Sequence, residues 1–194
     1  IYPAGAKWRH PGHQARVVLA TADVQAIGFR VHELELVPTA KEHDLVAHLG
    51  PDLLDPQWTD EHAARAVAAL TADPARELGL ALLDQRVMAG IGNLYKCEIC
   101  FLLKVSPWTP VSEVDASQAV ALGRKLLLAN AWRHEQSTTG ELARGRRTWV
   151  YDRTRQGCFR CGGRVLVAWQ GHDVHRRPTW FCPRCQLGPG GVSS

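Results

Sequence analysis

The chain has 194 residues, a formal net charge of +4, 45% hydrophobic residues and 22% charged residues. Such a composition is typical of a globular protein and excludes the disordered, collagen-like and fibrous classes. No apolar run approaches the roughly 20 residues that a membrane helix needs, which excludes a membrane-spanning protein. The first residues also lack the charged and apolar segments of a signal peptide, so we expect an intracellular protein.

Positive charge is concentrated towards the C-terminus. Residues 131–194 contain 11 Arg, no Lys and only four acidic residues, whereas acidic residues outnumber basic ones over residues 1–130. The planar guanidinium of Arg suits phosphate better than the ammonium of Lys does. This asymmetry favours a polyanionic partner, although charge alone fits a solvated basic face equally well.

The N-terminal region reads as part of a β-structure. The β-branched runs at residues 15–21 and 26–31 predict two short strands around a turn near Asp23. Two or three strands make a poor sheet by themselves. We therefore expect residues 1–37 to be the remainder of a larger β-structure, followed by a linker over residues 38–58 that is rich in His, Pro and Asp.

Residues 59–135 are predicted to form a helical domain. Thr59, followed by two acidic residues and an Ala-rich run, is a typical helix N-cap. Further helices are predicted from about Ala75 to Met88, from about Asn93 to Leu103 and from about Asp115 to Trp132. A polar connector with several Arg residues is expected over residues 136–157.

The C-terminal region carries the strongest motif of the sequence. Two C-x-x-C pairs are separated by 20 residues, and we expect their four thiols to bind one structural zinc ion over residues 158–186: Cys158, Cys161, Cys182 and Cys185. The intervening stretch predicts a β-hairpin, with a tail over residues 187–194. A module this small lacks a core, so metal binding should supply most of its folding free energy. The alternative is a disulfide-linked hairpin, which the missing secretory signal disfavours.

Two other motifs lie in the helical domain. Cys97 and Cys100 form a third C-x-x-C pair, but on a predicted helix, and we expect buried structural thiols there. Gly90-Ile91-Gly92-Asn93 joins two helices. It leaves backbone N–H groups at a helix N-terminus, which is a potential anion site. By itself this turn fits an ordinary helix corner better.

Several motifs in this order resemble the formamidopyrimidine-DNA glycosylase / endonuclease VIII family. Residues 82–93 resemble its helix–two-turn–helix motif, residues 177–186 its C-terminal zinc finger and residues 50–54 the segment joining its two domains. The resemblance spans roughly residues 7–186 and is closer to the endonuclease VIII branch. It implies an α+β fold: a partial N-terminal β-sandwich, a helical helix–two-turn–helix domain over residues 59–135 and a C-terminal four-cysteine zinc-finger β-hairpin.

The resemblance also implies DNA-binding residues. Asn93 matches the asparagine that binds phosphate beside the lesion, together with the backbone of three preceding residues: Gly90, Ile91 and Gly92. Arg177 matches the finger arginine that holds the phosphates flanking the everted nucleotide. The finger departs from the family pattern in two ways. Its stretch between the C-x-x-C pairs is longer, and Arg176 stands where the family has Gly, so Arg176 is an alternative for the role of Arg177.

One family feature is missing from these residues. Members share an N-terminal Pro-Glu pair, in which the proline amine attacks the sugar C1′ to form a Schiff base and the glutamate transfers protons. No Pro-Glu dipeptide occurs among the 194 residues. Glu98 matches a family carboxylate near the catalytic pocket, in a supporting role only. We therefore expect no catalytic nucleophile in this chain and an inactive polypeptide, either a fragment or a naturally shortened relative.

The resemblance implies a bifunctional DNA glycosylase and AP lyase of base-excision repair, acting on a damaged base that we expect to be an oxidised pyrimidine. The implied cofactor is one structural Zn²⁺, and the implied partner is duplex DNA containing a damaged base or an abasic site. We expect a monomer, in the bacterial cytoplasm with the nucleoid or in a nucleus. Two alternatives stay open: a relative that senses damaged or abasic DNA without cutting it, and a zinc-ribbon protein that binds another protein.

Overall fold

A computed structural model of the chain describes residues 1–173 and 176–189. Residues 174–175 of the predicted finger and residues 190–194 of the predicted tail lie outside the described residues. The chain divides into two compact units, Ile1–Ala47 and a second unit that begins at His48. The first unit therefore includes part of the segment predicted as a linker. No helix in the described part of the chain has the length and apolar character needed to cross a membrane.

The first unit is a three-stranded antiparallel sheet with the strand order β1-β3-β2. Its strands are β1 (Tyr2–Pro3), β2 (Ala15–Ala20) and β3 (Val24–Phe29). The last two form the predicted hairpin, and a short helix, α1 (Glu42–Val46), follows the sheet. Val18 and Leu19 remain 46% and 67% exposed. Apolar strand residues are thus left exposed in this unit.

The second unit begins with helices α2 (Asp60–Thr71), α3 (Leu78–Leu83), α4 (Asn93–Leu102) and α5 (Ala116–Asn130). The N-terminus of α2 lies where the sequence predicts it, because the Thr59 N–H donates to His62 Nδ1 at 3.2 Å. The N-terminus of α5 is capped by Asp115, whose carboxylate accepts from the Gln118 N–H at 2.9 Å. Large apolar side chains from all four helices form one core, including Leu70, Leu82, Ile99 and Leu127.

The predicted helix over 75–88 is too long, since α3 has only six residues. Side-chain hydrogen bonds to the backbone lie before and after α3. The Asp73 carboxylate accepts from the Ala75 N–H at 3.3 Å, and the Asp84 carboxylate accepts from the Arg86 N–H at 3.0 Å. Such side-chain bonds give the backbone an alternative to helical hydrogen bonding. The helix is therefore shorter than its apolar residues predict, because Asp73 and Asp84 bond to nearby backbone N–H groups.

The finger is an antiparallel hairpin of β4 (Leu166–Gln170) and β5 (Arg177–Phe181), with Gln170 opposite Arg177. It packs on α4 through a second apolar cluster in which Cys97 and Phe101 of the helix meet Val165 and Cys182 of the finger. The expectation that the finger lacks a core is therefore wrong. Its core is shared with α4, so packing on the helix contributes to its stability together with metal binding.

Candidate metal centre and nucleic-acid interface

The four cysteines of the finger lie together in space. Their Sγ atoms are all within 4.8 Å of one another, with Cys158 3.9 Å from Cys185 and Cys161 3.7 Å from Cys182. A tetrahedral site with Zn–S bonds of about 2.3 Å separates its sulfurs by about 3.8 Å. A disulfide instead requires about 2.05 Å. The arrangement fits one tetrahedral metal ion and does not fit a disulfide-linked hairpin.

Neighbouring groups orient these thiols. The Gly163 N–H donates to Cys161 Sγ at 3.4 Å and lowers the pKa of that thiol to about 7, which favours the thiolate that binds metal. The Cys182 N–H donates to Gln186 Oε1 at 2.8 Å, and Gln186 Nε2 donates to the Val105 carbonyl at 2.9 Å. The second C-x-x-C pair is thereby tied to the loop after α4.

The turn between α3 and α4 is held by the side chain of Gln85. Its Oε1 accepts from the Gly90 N–H at 2.9 Å, while its Nε2 donates to the carbonyls of Leu83 and Ile91 at 3.1 and 3.0 Å. Gly90 has a φ of +112°, a conformation that side-chain-bearing residues rarely adopt. One amide thus bonds both sides of the turn and fixes the path of the chain into α4.

The N-terminus of α4 presents backbone donors. The first hydrogen bond of the helix runs from the Lys96 N–H to the Gly92 carbonyl at 2.9 Å. The N–H groups of residues 93–95 therefore have no partner within the helix. Gly92 is exposed, and a Cβ at this position would meet nothing within 4 Å. An anion can approach these donors, and the helix dipole favours it there.

The side chain of Asn93 points from this turn to the finger. Its Nδ2 donates to the Pro178 carbonyl in β5 at 2.8 Å, whereas its buried Oδ1 has no hydrogen-bond partner among the described residues. The remaining Nδ2 hydrogen is the group with which this side chain can bind a phosphate oxygen. The predicted turn residue and the predicted finger strand are therefore brought together by a direct contact.

The two finger arginines have different surroundings. Arg177 begins β5, donates from Nη1 to the Arg176 carbonyl at 3.1 Å, and lines a cavity of about 590 Å³. The guanidinium of Arg176 instead lies 5.4 Å from the centre of the Trp169 ring, a cation–π contact. Only Arg177 shares the cavity with the segment that leads into the turn at residues 84–86.

A charged network lines the same cavity. Asp84 accepts from Arg76 Nη1 at 3.0 Å and from Arg86 Nη2 at 2.8 Å. The hydrogen bond from Arg86 is the largest cause of the lowered pKa of Asp84. Arg76 also lowers this pKa, whereas desolvation raises it. The cavity lining includes three arginines and two aspartates, Asp84 and Asp173, so its formal charge is +1 with His172 neutral.

Sequence reasoning missed the buried lysine below the turn. Lys96 is fully buried in α4, and its Nζ donates to Thr179 Oγ1 in β5. Burial lowers the pKa of Lys96, and the charge of Arg177 acts in the same direction. The available signal was that Lys96, together with Glu98, is charged within the largely apolar sequence of α4 that follows Asn93.

Glu98 is fully buried and serves as a hydrogen-bond acceptor for the connector. Its Oε1 accepts from the N–H groups of Val150 and Tyr151, each at 2.9 Å, and its Oε2 accepts from the Trp149 N–H at 2.7 Å and from Thr138 Oγ1. Burial raises the pKa of this carboxyl, and these bonds oppose the shift. Its position in α4 thus anchors residues 149–151, a contact that the sequence did not predict.

Comparison with known proteins identifies the helical part of the chain. Residues 49–141 match the family model for the formamidopyrimidine-DNA glycosylase H2TH domain. The chain is 50% identical to a probable endonuclease 8 2 of Streptomyces coelicolor, over 97% of this chain and 68% of that protein. It is 43% identical to the DNA-(apurinic or apyrimidinic site) lyase Nei2 of Mycolicibacterium smegmatis, over 90% of this chain and 67% of that one.

Solved structures agree at the level of the fold. The structure of MutM in complex with DNA containing carbocyclic 8-oxo-G has a TM-score of 0.70 and 22% identity, over 96% of this chain and 69% of that chain. The predicted α+β class and the predicted family are confirmed by these matches together with the cysteine cluster. The chain belongs to the formamidopyrimidine-DNA glycosylase / endonuclease VIII family of DNA-repair glycosylases and lyases.

Proposed function

We propose that this chain is the DNA-binding part of an endonuclease VIII-like glycosylase and AP lyase. It binds duplex DNA around a damaged base or an abasic site, as a monomer associated with the bacterial nucleoid. The damaged base is an oxidised pyrimidine. This choice is in keeping with a greater similarity to proteins named endonuclease 8 2 than to those named formamidopyrimidine-DNA glycosylase. Everting that base costs a few kcal/mol, which phosphate contacts offset.

One observation carries this proposal: the contact between Asn93 and the Pro178 carbonyl. It joins the N-terminus of α4, whose first N–H groups have no partner within the helix, to the strand that begins with Arg177. The backbone N–H groups of residues 93–95 and a guanidinium from the finger are thereby available to one stretch of DNA backbone, whereas the Gly90 N–H already donates to Gln85 Oε1. Phosphate contacts of this kind fix the position of a protein on DNA and carry no base information.

The four cysteines bind one structural zinc ion in this proposal. The sulfur spacing suits zinc, and four thiolate ligands leave no open coordination position for catalysis. The zinc instead keeps the hairpin folded, so that β5 can present Arg177. Arg176 has a lesser part, because its cation–π contact with Trp169 directs it along β4.

The 194 residues supply binding but not the chemical step. The family nucleophile is a proline amine followed by glutamate, and no such pair occurs in the sequence. Glu98 cannot act in its place, because its carboxylate is buried and accepts three backbone N–H bonds. The chain alone therefore binds damaged DNA without excising the base or nicking the strand.

Fluorescence anisotropy with a labelled duplex tests the proposal. The zinc-loaded chain should bind a duplex with one abasic-site analogue more tightly than the matched undamaged duplex. Affinity should fall about 10³-fold or more between about 50 and 200 mM salt if about six phosphates are neutralised. Lys125→Ala is the control for loss of a surface charge, since Lys125 lines a separate cavity between α2 and α5. Binding that does not depend on salt would contradict the proposal. A loss of affinity in Lys125→Ala equal to that in Arg177→Ala would also contradict it.

A further inference from the structure

A buried polar chain connects α4 with the strand that carries Arg177. Lys96 and Thr179 are both fully buried, and Lys96 Nζ donates to Thr179 Oγ1. An ammonium group has donors only, so the Thr179 hydroxyl must accept this bond and direct its own hydrogen elsewhere. Two acceptors are in reach in the part of the chain that the structure describes: the Arg177 carbonyl at 3.3 Å and Gln170 Oε1 at 3.4 Å.

The opposite strand of the hairpin, β4, is also hydrogen-bonded to the helical part of the chain. Gln170 Nε2 donates to Glu77 Oε2 at 2.9 Å and to the Pro107 carbonyl at 2.8 Å. Gly79 in α3 leaves the space for this side chain, since a Cβ there would lie 2.3 Å from Gln170 Oε1. The pair formed by Gln170 and Arg177 is thus fixed to the helical core from both strands.

The cost of burying Lys96 indicates a purpose other than stability. A buried ammonium group loses its hydration, and well-packed apolar residues often serve stability equally well at such positions. Lys96 lies one helical turn after Asn93, and its own N–H makes the first hydrogen bond of α4. Its side chain contacts β5 one residue beyond the Pro178 carbonyl to which Asn93 donates.

We propose that Lys96 and Thr179 are positioning residues that set the register of β5 against α4, so that Arg177 and Asn93 bind the DNA backbone as one unit. This inference rests on the proposed function. Neither residue touches DNA, because both are buried. Loss of the contact should leave Asn93 in place and allow β5 to shift, so that Arg177 loses its phosphate contact.

A set of matched variants tests this on the zinc-loaded chain, with an abasic-analogue duplex as the probe. Thr179→Val removes the hydroxyl at nearly constant shape, Thr179→Ser keeps it, and Lys96→Met removes the donor at similar length. Thr179→Val and Lys96→Met should weaken binding about tenfold and reduce the salt slope by about one phosphate. Zinc should remain at one per chain, and Thr179→Ser should bind like the parent.

Coupling with Arg177→Ala separates positioning from a general loss of structure. In the parent, Arg177→Ala should weaken binding about tenfold, but in the Lys96→Met or Thr179→Val background it should have little further effect. Unchanged binding in both single variants, or a full further loss from Arg177→Ala in both backgrounds, would overturn the positioning role while the proposed function stands. If Arg177→Ala has no effect in the parent, both the positioning role and the assigned DNA contact fail.

Discussion

Asn93 Nδ2 and the Pro178 carbonyl oxygen are 2.8 Å apart, although 85 residues separate them in the chain. The contact joins the turn before α4 to β5, and it leaves Asn93 Oδ1 buried without a partner among the described residues. An unpaired buried carbonyl oxygen is costly. In the proposed function, we expect the asparagine to support β5 and to offer its second amide hydrogen to phosphate.

Removal of one zinc ligand should unfold the finger. We expect Cys182→Ser to lose the bound zinc and the hairpin, and also to loosen α4, because Cys182 packs in the same cluster as Cys97 and Phe101. Zinc analysis and circular dichroism measure the two effects. Cys100→Ala is the matched control and should keep full zinc, since Cys100 lies outside the four-thiol cluster. Full zinc content in Cys182→Ser would contradict the assigned ligands.

Loss of either predicted phosphate ligand should weaken DNA binding. We expect Asn93→Ala and Arg177→Ala each to cost about 1–3 kcal/mol of binding free energy, the range of a lost polar or charge-assisted contact. The loss should be similar for different DNA sequences. Arg176→Ala should have a smaller effect because its guanidinium contacts Trp169. Anisotropy titrations that rank Arg176→Ala above Arg177→Ala would transfer the role to Arg176.

Neutralising Glu98 should affect stability more than DNA binding. Glu98→Gln replaces one acceptor oxygen by an NH₂ group, which would face the backbone N–H donors of residues 149–151. We expect the free energy of unfolding to fall by about 2–3 kcal/mol, because buried donors lose their acceptor. Urea denaturation measures the loss. Binding by the folded variant should match the parent, and a selective loss of DNA affinity at unchanged stability would instead support a functional carboxylate.

The chain by itself should not form a covalent adduct with DNA. A Schiff base requires an amine in contact with C1′, and the Pro-Glu pair that supplies it in this family is absent from the 194 residues. Borohydride trapping on an abasic-site duplex should give no protein–DNA adduct, and a parallel assay no strand cleavage. A longer polypeptide that begins Pro-Glu is the positive control. An adduct with the 194-residue chain would place a nucleophile within it.

Lys96 should give the free energy of unfolding a distinct pH dependence. Burial holds its pKa below the ordinary 10.5 in the folded state. Between those two pKa values the unfolded chain binds one more proton, so the free energy of unfolding rises with pH. We expect the parent to gain stability relative to Lys96→Met as the pH rises towards the ordinary pKa of 10.5. Parallel urea denaturation curves measure this difference, and a constant difference would contradict the buried ammonium group.

The sequence by itself determined the family, the fold class and the cysteine cluster. The spacing within each C-x-x-C pair fixes local geometry, and the Gly-Ile-Gly-Asn turn has few ways to join two helices. The N-termini of α2 and α5 were also predictable, because N-caps depend on residues three positions apart. Where local signals competed, as at Asp84 beyond α3, the sequence alone predicted too long a helix.

Only the tertiary structure decided how these parts work together. Glu98 finds its backbone donors 51 to 53 residues further along the chain, and Lys96 finds Thr179 83 residues away. No local spacing encodes such contacts, since they arise when the finger docks on α4 through the shared apolar cluster. Burial then makes each unpaired polar group costly, so docking and hydrogen bonding select one register together. That register places Arg177 beside the turn that contains Asn93.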